Sequence, residues 1–394
     1  MDRKAWEQAL APYMERLLEI RHDLHRHPER SGQEKETQAT LMRVLAPLGL
    51  KLTTFPGSYA LMATLENGAG GCVAVRADMD ALPITEETGL PFASENPGVM
   101  HACGHDVHMT LALGSAMYLS AHRDAWKGTV KWLFEPQEET IGGGRQMTEC
   151  GCMSHPTVDV VIGQHVNPRY PAGTFFCKTG YVSGASDEVQ LHVIGKSCHG
   201  AYPEGGIDAI VIMASIVTAL QTMVSRRVSP FVSTVLTFGT VRGGTANNVI
   251  CGDVYLTGTL RTLDEKTRRT MKHQIRRMAV SIAEGMGGAA EVVFRPSYGA
   301  VFNSEPYYTI VEDAAREVLG EENLVHREAP SLGVESFYYF IAHTPGVYYD
   351  IGSGISTALH TPTFCVDEKT IGVGIALQTE SVLRLLKKTG EDRA

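Results

Sequence analysis

Apolar residues recur every three or four positions between Arg3 and His25 (Leu10, Tyr13, Leu17, Ile20), the spacing of one buried helix face. The segment HPERSGQE breaks the pattern, and Glu34 to Leu48 resumes it as a second amphipathic helix that stops at Gly49. Beyond that point the period changes. YALMATLE and GCVAVRAD read as neighbouring strands, MTLALGSAMYLSAH as a helix, GTVKWLFEPQEE as a strand running into a polar tip, and VDVVIGQH as another strand. Such alternation predicts an α/β sheet under helical cover.

The middle of the chain has a different order. DEVQLHVIGK predicts a strand, GGIDAIVIMASIVTALQTMV a strongly apolar helix, and STVLTFGTVRGG and DVYLTGTLRTL two strands. DEKTRRTMKHQIRRMAVSIAEGM then predicts a long amphipathic helix and AAEVVFRPSYG a last strand. This β-α-β-β-α-β order is the split-βαβ, ferredoxin-like unit. YYTIVEDAAREVLG, GVYYDIG and GVGIALQTESVLRLLKKTG return to the first style. The expected organisation is therefore one α/β domain, 1–182 and 301–394, interrupted by a smaller inserted domain, 183–300.

Length and composition narrow the class. A chain of 394 residues exceeds what a single hydrophobic core holds, and 43% apolar with 20% charged residues is ordinary for a soluble globular protein. A net charge of −9 argues against a nucleic-acid or anionic-membrane partner. The one basic cluster, Lys266 to Arg277, is interleaved with Met271 and Ile275 at helical spacing and reads as a solvated helix face. No run approaches the ~18 apolar residues of a membrane span, and the charged N-terminus lacks a signal-peptide core. We expect no membrane association and a cytoplasmic protein. Eight cysteines without a regular framework fit a reducing compartment, and Cys150-x-Cys152 reads as loop residues rather than a second metal site.

Candidate chemistry gathers just past the ends of apolar runs, where open α/β sheets place their ligands. MHACGHDVHM offers Cys103 and His105, FEPQEE offers Glu138 and Glu139, GQH offers His165, and ALHTP offers His360. Thiolate, imidazole and carboxylate together suit a divalent transition metal. Cys103 and His105 can share an ion only from extended or turn backbone, so this tip is expected to be a loop. His101, Asp106 and His108 are expected to support it by hydrogen bonds, with His108 capping the following helix. Adjacent residues at a strand end point in different directions, so one of Glu138 and Glu139 can bind metal while the other faces water as a base. Two solvated loop glutamates are the plainer reading; the apolar strand, the proline and the glycine-rich exit around the pair favour a site.

HRHPERSGQE, VAVRADMDALP, MHACGHDVHM, FEPQEE, GQHVNP, GKSCHGAYPEGGIDAI, GTANNVI, GTLRT and LHTP occur in the order seen in one metallopeptidase family. Over about residues 20–380 the chain resembles its bacterial aminoacylases, hippurate hydrolases, indole-acetyl-amino-acid hydrolases and related carboxypeptidases. The resemblance implies a catalytic α/β domain with an inserted lid and dimerisation domain. It implies two divalent ions (zinc, manganese, cobalt or nickel), with Cys103 bridging and His105, Glu139, His165 and His360 as the other ligands. Glu138 takes the place of the general base and Asp80 that of the carboxylate orienting a ligand histidine. Asp78 stands where other branches carry a ligand histidine, which leaves its ligation open. On the inserted domain, His199 would reach a neighbouring subunit's site to stabilise an oxyanion, and Asn248 and Arg261 would hold substrate. Glu335 lies in GVESF, where relatives often read SEDF and face the substrate; Asn167 replaces a common aromatic.

The implied reaction is hydrolysis of N-acyl amino acids to a carboxylic acid and a free amino acid, by metal-bound hydroxide with Glu138 as base, in a homodimer or alternatively a homotetramer. A dipeptidase or carboxypeptidase would use the same residues. From the residues alone, a cysteine hydrolase with Cys103 as nucleophile and His105 as base remains open, as does a non-catalytic metal-binding protein.

Overall fold

The two leading amphipathic stretches form α1 (Arg3–Arg26) and α2 (Lys35–Leu45) in the computed structural model, which describes residues 1–393. Asp2 caps α1 by accepting from the Ala5 amide, and Leu10, Leu17, Ile20 and Leu24 make its buried face. The chain continues through β1 (Lys51–Thr54), β2 (Leu61–Asn67), β3 (Cys72–Asp78), α3 (His105–Ala121), β4 (Gly128–Glu135), α4 (Gly144–Glu149), β5 (Val160–Asn167), β6 (Phe175–Cys177) and β7 (Gly180–Ser183). Next come β8 (Ala185–Ile194), α5 (Ala209–Arg227), β9 (Thr234–Gly243), β10 (Asp253–Thr262), α6 (Glu265–Gly285) and β11 (Ala289–Pro296). The last elements are β12 (Val301–Asn303), α7 (Glu305–Leu319), β13 (Leu324–His326), α8 (Tyr338–Ile341), β14 (Gly346–Gly352) and α9 (Lys369–Arg393). Contacts divide the chain into a larger unit, Met1–Val182 with Phe302–Ala329 and Ser336–Ala394, and a smaller one, Ser183–Val301 with Pro330–Glu335.

The larger unit is built on an eight-stranded sheet ordered β1-β2-β4-β3-β5-β14-β6-β13. Its centre is parallel: β3 pairs with β4 and β5, and β14 with β5. β3, β4 and β14 are buried along their whole length, which is why they read as near-continuous apolar runs. Lys131, buried within β4, donates to the carbonyls of Cys152, Ser154 and Pro156, so its charge is met by the loop that carries the CxC pair. α3 is apolar on nearly every side because it packs against α1, α9 and β3 together. Its approach to α9 requires Gly114, where a Cβ would lie 2.5 Å from Ile375. The carboxyl ends of β3, β4, β5 and β14 all leave the same edge of the sheet, and that edge carries the chemistry.

The smaller unit is a four-stranded antiparallel sheet ordered β11-β8-β10-β9, with α5 and α6 on one face. It has its own core, including Val189, Leu191, Ile212, Ile216, Leu256, Met271 and Ile275.

Two expectations differ from the structure, three short strands carry no sequence signal, and the apolar helix α5 has its place explained. α3 begins at His105 rather than near Met109, because the polar turn HDVH finds buried partners and so continues the helix. The short strands β1, β6 and β13, at or next to the two edges of the sheet, have too little periodicity to read. The segment Pro330–Glu335, expected with the catalytic domain, groups with the smaller unit, where the Gly184 amide donates to the Gly333 carbonyl at 2.9 Å. Finally, α5 is 19 residues long with a mean hydropathy of 1.6 in its most apolar window, enough by length and composition to cross a membrane. Its Ala209, Ile212, Ile216, Leu220 and Met223 instead face the core of the smaller unit.

Candidate metal centre

The turn Cys103-Gly104-His105 starts from glycine's freedom. Gly104 has φ +84°, and a Cβ there would stand 2.5 Å from Val166 Cγ2. Cys103 therefore lies in the turn expected of it, whereas His105 is already the first residue of α3. His105 Nδ1 donates to the Asp80 carbonyl at 2.7 Å, which leaves the lone pair on Nε2. That atom is buried without a hydrogen-bond partner, 3.7 Å from Asp78 and 3.9 Å from Glu139. His165 is oriented in the same way: its Nδ1 donates to the Val166 carbonyl at 2.7 Å, and its Nε2 lies 3.4 Å from Cys103 Sγ.

Past β4 the chain turns sharply. Gln137 takes φ +62°, a left-handed conformation costing a residue with a side chain roughly 1–2 kcal/mol. Glu138 and Glu139 follow, and their amides donate to the two oxygens of Asp80 at 3.0 and 3.1 Å. The Ser31 hydroxyl also donates to that carboxylate, at 2.6 Å. The Asp80 side chain thus holds the glutamate tip, and both its main-chain oxygen, at 2.7 Å, and its carboxylate Oδ1, at 3.5 Å, face His105 Nδ1. Glu138 Oε1 accepts from the Ser336 amide at 3.4 Å. Glu139 Oε1 is buried without a hydrogen bond, 3.2 Å from His360 Nε2. His360 is itself left-handed at φ +60° and tied through its amide to the Ala102 carbonyl.

Four groups of donor atoms come together here, each within 4.8 Å. Two share the Cys103 sulfur: Cys103 with His105 and His165, and Cys103 with Glu139 and His360. A third joins His105, Glu138 and Glu139, and the fourth Asp78, His105 and His108. In the fourth group His108 is already committed, donating from Nδ1 to Asp78 at 2.6 Å and accepting at Nε2 from the Val166 amide at 3.0 Å. It is a buried support inside the helix, not the helix cap that the sequence suggested. Asp78 is likewise held by Arg76, whose other nitrogens donate to Glu135 and to the Ser336 hydroxyl at 2.7 Å each.

The electrostatics fit a cation. Burial pushes the Cys103 thiol far up. Burial alone would lower His105, but the Asp78 carboxylate outweighs it and draws the imidazole well above its usual range, the mark of a negative pocket in which a cation can take the place of the ring's second proton. Glu139 is held below the usual carboxylate range by His360, against the effect of its burial. Two inward-facing atoms without hydrogen bonds, His105 Nε2 and Glu139 Oε1, and a thiol shared by two donor groups match the needs of a pair of divalent ions.

Cys103, His105, Glu138, Glu139, His165, His360 and Asp80 therefore converge in the larger unit. His199, Asn248, Arg261 and Glu335 lie in the smaller unit. There His199 bridges to Val249, and the Gly200 amide donates to the Asn248 carbonyl at 2.7 Å, so His199 and Asn248 are neighbours. Arg261 donates from Nε to Thr259 at 3.1 Å. Asn167 is bound to Asp350 at 2.8 Å. Arg76 and Ser336, which contact the site's acids, were missed; a buried arginine in a strand such as VAVRAD is the one available signal. Asp106 does not touch the donors but pairs with Arg21 and His25, while both ring nitrogens of buried His101 lack hydrogen-bond partners.

Residues 74–384 match the family described as peptidase family M20/M25/M40. An N-acetyl-L-cysteine deacetylase of Bacillus subtilis is 35% identical over 385 residues, covering 98% of this chain and 91% of the relative. A thermostable carboxypeptidase of Saccharolobus solfataricus is 34% identical, covering 91% and 92%. Among solved structures, a dinuclear metal-binding peptidase of the M20 family from Bacillus subtilis superposes with a TM-score of 0.83 at 32% identity, covering 96% and 99%.

Proposed function

The chain belongs to peptidase family M20/M25/M40, and from that premise we propose that it is an amidohydrolase with two divalent ions that cleaves N-acyl amino acids to a carboxylic acid and a free amino acid. The observation that carries this reading is the Cys103 sulfur common to two donor groups beside an adjacent pair of glutamates. Cys103, His105 and His165 would hold one ion, and Cys103, Glu139 and His360 the other. Bound there, the ions would supply Lewis-acid polarisation of the scissile carbonyl and ease deprotonation of water.

The protein's own residues do the rest. Glu138 accepts a proton from the attacking water and returns it to the leaving nitrogen. The Ser336 amide and the Asp80 carboxylate fix that glutamate's position. On the smaller unit, His199 donates to the oxyanion, Asn248 helps hold the substrate and Arg261 grips the free carboxylate of the amino acid. Glu335 is assigned to the substrate side. We further propose a homodimer in which His199 serves the site of the second copy, and a cytoplasmic location, which the eight unpaired cysteines favour.

Likeness to a carboxypeptidase over nine-tenths of the chain keeps the peptidase reading as second choice. A cysteine nucleophile is disfavoured, because the Cys103 sulfur is shared by two metal-donor groups and His105 Nδ1 is committed to a carbonyl.

Hydrolysis of N-acetyl-, N-benzoyl- and N-lauroyl-amino acids and several dipeptides tests the proposal, before and after chelation and with zinc, manganese, cobalt or nickel restored. We expect loss on chelation, recovery with metal, and a fall of roughly 10²–10⁴-fold in Glu138→Ala. Cleavage that survives both treatments would sink the reading. Cleavage of dipeptides alone would select the peptidase.

A further inference from the structure

The glutamate tip is held by more than Asp80. Three consecutive amides, those of Gln137, Glu138 and Glu139, each donate to a buried carboxylate, and the first of these is Glu34: its Oε1 accepts from the Gln137 amide at 2.9 Å. The same oxygen accepts from the Gly32 amide at 2.9 Å. Glu34 is 0% exposed, and its Oε2 is buried without a hydrogen-bond partner. It precedes α2 without making a side-chain cap bond to that helix, so capping does not account for it. Isolating a carboxyl from water is unfavourable, and burial pushes this one up to about 7. Something other than stability has to explain an acid at this position.

The explanation lies in what it grips. Gln137 is the left-handed residue whose backbone sets the directions in which Glu138 and Glu139 leave the strand. The stretch from Ser31 to Glu34 supports the tip directly, through Glu34 on the Gln137 amide, and indirectly, through the Ser31 hydroxyl on Asp80. Its sequence, HPERSGQE, otherwise has the look of a plain helix break. We propose that Glu34 is a positioning residue that locks the Gln137 peptide, so that Glu139 faces Cys103 and His360 while Glu138 faces the reacting centre. The inference rests on the proposed function for the role of Glu138, but its metal-binding limb stands on the donor geometry alone.

The test compares full-length Glu34→Met with Glu34→Gln. Methionine fills a similar volume and suits burial but accepts nothing; glutamine keeps the acceptor oxygen. Cobalt(II) titration of the chelated protein, followed by visible absorption, reads the donor set without any turnover. Removing such a supporting contact weakens metal binding by about 10–100-fold, and we expect Glu34→Met to do so while Glu34→Gln stays within about threefold of the parent. On the best amide substrate, kcat should fall on the order of tenfold or more in Glu34→Met with KM nearly unchanged, and recover in Glu34→Gln. Parent-like cobalt binding in Glu34→Met, or equal damage in both variants, would overturn the proposal. If the parent cleaves no amide, the functional reading falls while the cobalt titration still decides on Glu34.

Discussion

A histidine binds a metal with whichever ring nitrogen its neighbours leave idle, and at His105 and His165 main-chain carbonyls make that choice. A histidine away from the donors, His25, gives the fold a pH dependence. Burial alone would keep His25 neutral, but Asp106 and Glu86 raise it from 6.5 to about 9. A folded pKa above the unfolded one means stability that is complete below about 6.5 and lost as pH rises through about 9. Denaturant unfolding across that window should show the decline, and His25→Gln should flatten it; an identical slope in both proteins would refute the assignment. The donor residues were legible in the sequence because thiol, imidazole and paired carboxylates are scarce at strand ends. Ser336 and Glu34 were not, since each matters through a partner that folding brings from far along the chain, and Arg76 offered only its place in an apolar strand.

Elements decide how closely the donors can be brought together. α3 starts inside the metal cluster, and Gly104 is the joint that lets a turn become a helix in one residue. Gly104→Ala puts a side chain at φ +84° and a Cβ 2.5 Å from Val166. We expect a loss of about 1–3 kcal/mol in thermal stability, together with weaker zinc retention against a chelator, since Cys103 and His105 flank the position. Retention equal to the parent's would show that the turn is less demanding than its geometry. The strands β3, β4, β5 and β14 were legible from long apolar runs. The onset of α3 was not, because HDVH is polar by composition and buried only by its partners Asp78, Arg21 and the Val166 amide.

For the whole molecule, the change of rhythm near residue 183 signalled a second unit, and two separate hydrophobic cores correspond to it. The grouping of Pro330–Glu335 was illegible because it depends on a backbone bond to Gly184. The proposed exchange of His199 between copies has a direct measurement. Glu138→Ala and His199→Ala, each inactive alone, should regain hydrolysis when unfolded together and refolded as mixed dimers. Mixtures no more active than their components would place His199 in its own chain's site or outside the reaction.

β7 and β12, the strands on either side of the insertion, pair with each other as a two-stranded sheet. To the larger unit, everything between them is the loop of one strand connection, and the entropy of closing a loop grows only with the logarithm of its length. Lengthening, trimming or replacing that loop therefore disturbs the metal-bearing edge far less than its size suggests. A lineage could trade one insertion for another, and with it the molecules it accepts, while the ion chemistry passes on unaltered.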